Sequence, residues 1–298
     1  MASWSFPLPP GTTPRCATFD PARNIVWIGT AAGDVVSYRL VDGTHLVRGS
    51  GYGDPVAVVL APDGLSLHVV EAAGGVFSVF KDEAGRARAA PVAMLGQAVV
   101  GAAMHPDDTR LLVLTAAGTL RAIDLATGTP ATVAGGFTDP VALSVDAASG
   151  LAVILDDVAG GLELRPVALD TGNAGAGISV DAGTTALLAG QFGGAAALTA
   201  SGPAGSLSLI GLEGQPAVLG EDVGMPVVAL ARWESLVLGV AATSIEAREW
   251  ALATGPLTIE LPIAPLFTGG YARAEIDLAG AGLGPADVPF AIEEGPAA

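Results

Sequence analysis

Two sets of glycines repeat along this chain with one period, and that period restricts the possible folds more than any local feature does. The first set is Gly33, Gly75, Gly118, Gly161 and Gly205, at spacings of 42, 43, 43 and 44 residues. The second is Gly43, Gly85, Gly128, Gly172, Gly214, Gly255 and Gly295, spaced by 42, 43, 44, 42, 41 and 40. Tight hairpin turns need a left-handed backbone that glycine adopts without steric penalty, so the two sets read as two turns of one repeating unit.

The unit is clearest in residues 99–128, VVGAAMHPDDTRLLVLTAAGTLRAIDLATG. Runs at 99–104, 111–115 and 119–124 are each closed by turn residues: His105-Pro106-Asp107-Asp108, Ala116-Ala117-Gly118 and Leu125-Ala126-Thr127-Gly128. Short runs between such punctuation are antiparallel strands joined by tight turns. A period of about 40 to 45 residues is that of a four-stranded β-propeller blade. Ala61-Pro62-Asp63-Gly64 and His105-Pro106-Asp107-Asp108 resemble the turn between the first two strands of WD-repeat and related bacterial, YVTN-type propeller repeats. Residues 121–128, RAIDLATG, resemble the end of the third strand, where that superfamily often carries Trp-Asp. Here Ile123 replaces the tryptophan, and Trp250-Ala251 keeps the tryptophan without the aspartate. The resemblance covers residues 15–255 and implies an all-β propeller fold without specifying a chemistry.

The blades follow in order. Blade 1 is expected at 16–20, 25–30, 34–40 and 44–48, and blade 2 at 56–60, 67–71 and 76–80, with 81–90 as its charged turn and outer strand. Blade 3 is the clear unit. Blade 4 takes 141–145, 151–156 and 162–169, and blade 5 takes 185–190, 195–200, 206–212 and 217–220. Blade 6 takes 227–232, 236–240, 244–250 and 257–261. Further on, Tyr271, Arg273, Glu275 and Asp277 alternate with Ala272, Ala274, Ile276 and Leu278, a strand with one wet face. Gly284 and Gly295 fall where a seventh pair of turns belongs, with 288–294 between them. The favoured count is seven blades in one domain over 1–298, with 1–8 closing the last blade through Trp4, Phe6 and Leu8. The alternative is a six-bladed propeller over 1–261 followed by a C-terminal β extension at 262–298.

The 51% hydrophobic residues suffice for a core. Their runs are broken by Gly, Pro or charge well short of the roughly 20 residues of a spanning helix, so no membrane span is expected. The first ten residues lack the basic start and apolar stretch of a secretory leader, and Cys16 is the single cysteine. Both features suit a cytoplasmic protein. Thirty acidic residues against 13 basic ones give a net charge of −17, which repels phosphate backbones and argues against a nucleic-acid partner. Lys81 is the only lysine.

Candidate chemistry is sparse. Glu71 follows the second strand of blade 2, and Asp156-Asp157 the second strand of blade 4. Propeller enzymes such as lactonases and metal-dependent hydrolases are similar in ringing the central mouth with carboxylates, hard ligands suited to calcium. Glu71, Asp156 and Asp157 are therefore the candidate ligands of a divalent metal, the one cofactor under consideration. His105, Asp107 and Asp108 are explained by their Pro-Asp turn. His68 and Glu71, three apart, point to opposite faces of a strand. There is no Gly-x-Ser-x-Gly elbow, and Cys16 lies in an inner strand, where a buried thiol is inert. Trp4, Trp27, Trp233 and Trp250 do not recur at one register, as repeated sugar pockets or quinone sites would require. No catalytic residue is assigned. The favoured function is a non-enzymatic interaction module that docks a protein partner, within a larger assembly. The alternative is a propeller enzyme, a lactonase-like hydrolase or an isomerase, with a carboxylate or metal site in the central channel.

Overall fold

The physical reason for the glycine period lies in how successive sheets are joined. The computed structural model describes residues 3–88, 90–191, 195–212, 218–233 and 236–249, and every element in it is a β-strand. β1 (Ser3–Pro7) precedes blade 1, which consists of β2 (Pro14–Asp20), β3 (Ile25–Thr30), β4 (Val35–Arg39) and β5 (His45–Ser50). Blade 2 begins with β6 (Pro55–Leu60), β7 (Ser66–Glu71) and β8 (Gly75–Phe80). The chain then forms β9 (Arg86–Ala87) and β10 (Ala93–Met94), of which β10 is the outer strand of blade 2. Blade 3 is β11 (Val99–Met104), β12 (Arg110–Thr115), β13 (Thr119–Asp124) and β14 (Pro130–Gly135). Blade 4 is β15 (Pro140–Asp146), β16 (Leu151–Val158), β17 (Gly161–Ala168) and β18 (Ile178–Ser179). Blade 5 is β19 (Thr184–Gln191), β20 (Ala195–Ser201), β21 (Ser206–Gly211) and β22 (Val218–Asp222). Blade 6 is β23 (Val227–Trp233), β24 (Leu236–Ala241) and β25 (Ser244–Glu249), with β1 as its fourth strand.

The ring closes at six blades, which corrects the expected seven. β1 runs antiparallel to β25, Ser3 opposite Arg248 and Pro7 opposite Ser244, and so fills the place expected for 257–261. β2 lies beside both β6 and β23, so the first and last blades are direct neighbours. Apolar side chains fill every interface in turn. Val26, Ile28 and Leu40 of blade 1 pack on Leu238 and Ile245 of blade 6, while Trp27 and Val35 pack on Val69 and Phe77 of blade 2. Four further clusters join blades 2 to 3, 3 to 4, 4 to 5 and 5 to 6. With each sheet covered on both faces, no gap remains for a seventh. The strands expected at 257–261, 271–278 and 288–294 lie outside the described residues.

A second correction concerns 81–90, expected as the turn and outer strand of blade 2. β9 instead pairs in parallel with β5 of blade 1, Gly49 with Arg86 and Ser50 with Ala87. Lys81 draws the segment that way: its Nζ lies 2.8 Å from Oδ2 of Asp20 in blade 1, and each side chain is about 4% exposed. The crossing also covers part of an open sheet edge.

The first glycine register marks the turn between second and third strands. Gly33, Gly118 and Gly205 have φ of +80°, +76° and +63°. Their carbonyls accept the N–H of Tyr52, Phe137 and Val223, at 3.0, 3.3 and 3.2 Å, from the loop that enters the next blade. In blade 2 this position belongs to Gly74, at φ +90° and bonded by Leu95 N–H, and not to the adjacent Gly75. A Cβ on Gly33 or Gly118 would stand 2.1 or 2.0 Å from the carbonyl oxygen of Tyr52 or Phe137. Glycine is needed there both for its backbone and for the space it leaves.

Candidate functional site

Each first strand begins with the same irregularity. Its pairing with the second strand skips one residue, leaving Arg15, Val56, Val100, Val141, Thr185 and Val228 as bulge residues. A bulge bends the strand and re-aims its side chain. All six line the central channel enclosed by the first strands, at the end where the inter-blade loops enter. Val141 is 42% and Val228 37% exposed, high values for branched aliphatic side chains. The following residue is small in every blade: Cys16, Ala57, Gly101, Ala142, Ala186 and Ala229. At Gly101 an added Cβ would lie 3.3 Å from Leu143 of the neighbouring blade. Convergence of six strands explains that choice, since larger side chains would force them apart.

The channel has a volume of about 510 Å³. Its walls carry alkyl groups and a few hydroxyls, and two of the hydroxyls tie inner strands together. Ser144 Oγ accepts the N–H of Ala189 at 2.9 Å, and Thr185 Oγ1 donates to the Val227 carbonyl at 2.7 Å. Arg15 and Cys16 are its only ionisable side chains among the described residues. Burial pushes the Cys16 thiol up to about 12, and its Sγ lies 3.5 Å from the Pro55 carbonyl. Such a thiol stays protonated and is a poor nucleophile.

Of the carboxylates singled out from sequence, Glu71 lies in blade 2 and Asp156 and Asp157 in blade 4. Glu71 is 5% exposed, accepts the N–H of Gly53 at 2.8 Å and pairs with Arg88, whose guanidinium stacks on Phe77 at 4.6 Å. Asp156 is fully buried and accepts the N–H groups of Thr138 and Asp139, both at 2.9 Å. Arg165 lies 3.5 Å from it and 5.7 Å over Phe137. Blades 2 and 4 thus repeat one device, in which a carboxylate near the end of the second strand holds the incoming loop while an arginine balances its charge. Asp157 is exposed beside it. Among the described residues no three His, Cys, Asp or Glu side chains converge as a metal site would require.

The histidines are equally dispersed. His68 is buried with Ser78 Oγ 3.4 Å from its Nδ1, and burial lowers its pKa despite Asp63. Asp107 closes its turn by accepting the N–H groups of Thr109 and Arg110, and Asp107 N–H bonds His105 Nδ1. Burial disfavours the charge on Asp107, but Thr109, Arg110 and His105 outweigh it and hold the carboxyl below the ordinary range. The mouth residues were not identified as a set from sequence, although they recur at spacings of 41, 44, 41, 44 and 43. The signal is a residue followed by a small one at each blade entry, three times after proline: Pro14-Arg15-Cys16, Pro55-Val56-Ala57 and Pro140-Val141-Ala142.

No family model and no curated protein matches this chain. Among many solved structures of similar fold is nidogen in a nidogen/laminin complex, at TM-score 0.58 and 12% identity, covering 73% of this chain and 81% of that one. At that identity the likeness establishes the β-propeller fold alone. Among the described residues no helix is long and apolar enough to cross a membrane.

Proposed function

We propose that this chain is a non-enzymatic interaction module that docks a protein partner over the channel mouth. The observation that carries the reading is the ring of bulge residues. Six repeats of one backbone irregularity present Val56, Val100, Val141 and Val228 around the mouth of a channel whose walls hold no acid–base pair among the described residues. Val141 and Val228 are exposed and Val56 and Val100 half-buried, and apolar groups that reach solvent at one place on an acidic protein mark a contact surface. The similarity to nidogen adds that a chain of this fold occurs in a protein–protein complex.

The test is a comparison of two immobilised proteins exposed to lysate of the source cells: the unaltered chain and the Val141→Ser/Val228→Ser variant. Both positions are exposed, so the variant keeps the far-ultraviolet dichroism of the parent. Proteins retained by the parent and lost from the variant support docking at the mouth. Identical retention, with the fold intact, removes the proposal.

A further inference from the structure

We infer that the segment seated at the channel mouth is basic and aliphatic, a stretch in which lysine or arginine adjoins a small branched side chain. The inference rests on the docking reading and gives the partner its chemistry.

The protein supplies an internal model of the contact. Asp54 stands at the entry to blade 2 and reaches the bulge residue of blade 1, with Arg15 Nε 3.4 Å from its Oδ1. Asp139 holds the same register at the entry to blade 4, in the same run Asp-Pro-Val-Ala. The residue at the register of Arg15 in blade 3 is Val100, which has no charge. Asp139 is thus a copy of Asp54 without its cation: exposed, and with no side-chain hydrogen bond or ion pair among the described residues. Asp157 donates its N–H to the Asp139 carbonyl at 2.9 Å, but it shares a strand face with Val153 and Leu155, which pack on blade 5, so its carboxylate turns away and Asp139 stands alone there.

Among the described residues the cations at this end of the ring are already engaged. Arg15, Arg88 and Arg165 pair with Asp54, Glu71 and Asp156. Arg121 shares a strand face with Ile123, which packs on blade 2, so it points away from blade 4. A cationic side chain arriving between blades 3 and 4 therefore meets the unneutralised carboxylate of Asp139, with Val100 and Val141 on either side for an adjoining aliphatic group. The valines continue to Val56 of blade 2, and Val228 faces them from beyond Thr185, an extent that a chain segment covers and an isolated amine does not. Charge of this kind selects and steers a partner of opposite sign.

The test uses the full chain and three synthetic dodecapeptides followed by fluorescence anisotropy at low salt: alternating Arg and Val, alternating Glu and Val, and alternating Arg and Ser. The Arg/Val peptide is expected to bind about tenfold tighter than either other peptide. Asp139→Asn should weaken that binding about tenfold, whereas Asp170→Asn, in the turn after β17 at the opposite end of blade 4, should leave it unchanged. Equal binding of the Arg/Val and Arg/Ser peptides, or equal effects of the two substitutions, would show only diffuse attraction to an acidic protein and overturns the inference. Lysate partners that depend on Val141 and Val228, without any preference for the Arg/Val peptide, would leave docking standing and remove the basic partner.

Discussion

Removing the ammonium of Lys81 should destabilise the propeller more than any change to its surface charges. Lys81 leaves the end of β8 and crosses to Asp20 at the end of β2, so one ion pair joins blade 1 to blade 2. Lys81→Met keeps most of the side-chain volume but strands the Asp20 carboxylate where water hardly reaches. Breaking a buried pair in this way costs about 3–5 kcal/mol, because the remaining charge is left uncompensated. With a urea dependence of about 3 kcal/mol per molar, the unfolding midpoint falls by roughly 1 to 1.7 M. Trp27 reports the transition, since it is fully buried in the same interface with Val69 and Phe77. Replacing both partners, Asp20→Leu with Lys81→Met, leaves no stranded charge and should return stability to within about 1 kcal/mol of the parent. The reasoning fails if Lys81→Met loses less than about 1 kcal/mol, the behaviour of a solvated pair. It fails equally if the two single losses simply add in the double variant.

Two further substitutions probe the period and the core. Gly118→Ala places a methyl group at φ +76° and 2.0 Å from the Phe137 carbonyl, whereas Gly64→Ala has φ +68° and open space around it. The left-handed backbone costs each variant about 1–2 kcal/mol, and only Gly118→Ala must also displace the loop entering blade 4. Equal losses in urea titrations would refute the seating of that loop on the turn. His68 is held neutral by burial, with its pKa below the ordinary value. The unfolded chain therefore binds more protons once the pH falls through about 6.5, and stability should decline from there until the folded pKa is passed. His68→Asn should flatten that part of the stability–pH curve, and an unaltered slope would place its cause elsewhere.

The turns were legible in the sequence because a backbone at positive φ with a carbonyl against Cα admits glycine and little else. The same rule misled by one position in blade 2, where Gly74 and Gly75 are adjacent and only Gly74 has the positive φ. The number of blades was less legible, because it depends on which sheet receives a strand from the other end of the chain. Phe6 and Leu8 marked 1–8 as a closing strand, yet nothing local to them says that its partner is β25. The path of 81–90 turned on a contact between Lys81 and Asp20, 61 residues apart, against which a charged run looks like an ordinary outer turn. Glu71 and Asp156 were legible as carboxylates near the ends of second strands, but their arginines come from different places: Arg88 beyond β9, Arg165 within β17. In a chain so rich in alanine and valine, Val141-Ala142 has no contrast until the blades are aligned by their entries. Once they are, Arg15 and Val100 stand at one register beside Asp54 and Asp139, and the information about partners lies in that departure from the repeat. A carboxylate matched in one blade and unmatched in the other is what a ligand can distinguish, since the six equivalent bulges present the same backbone to any visitor.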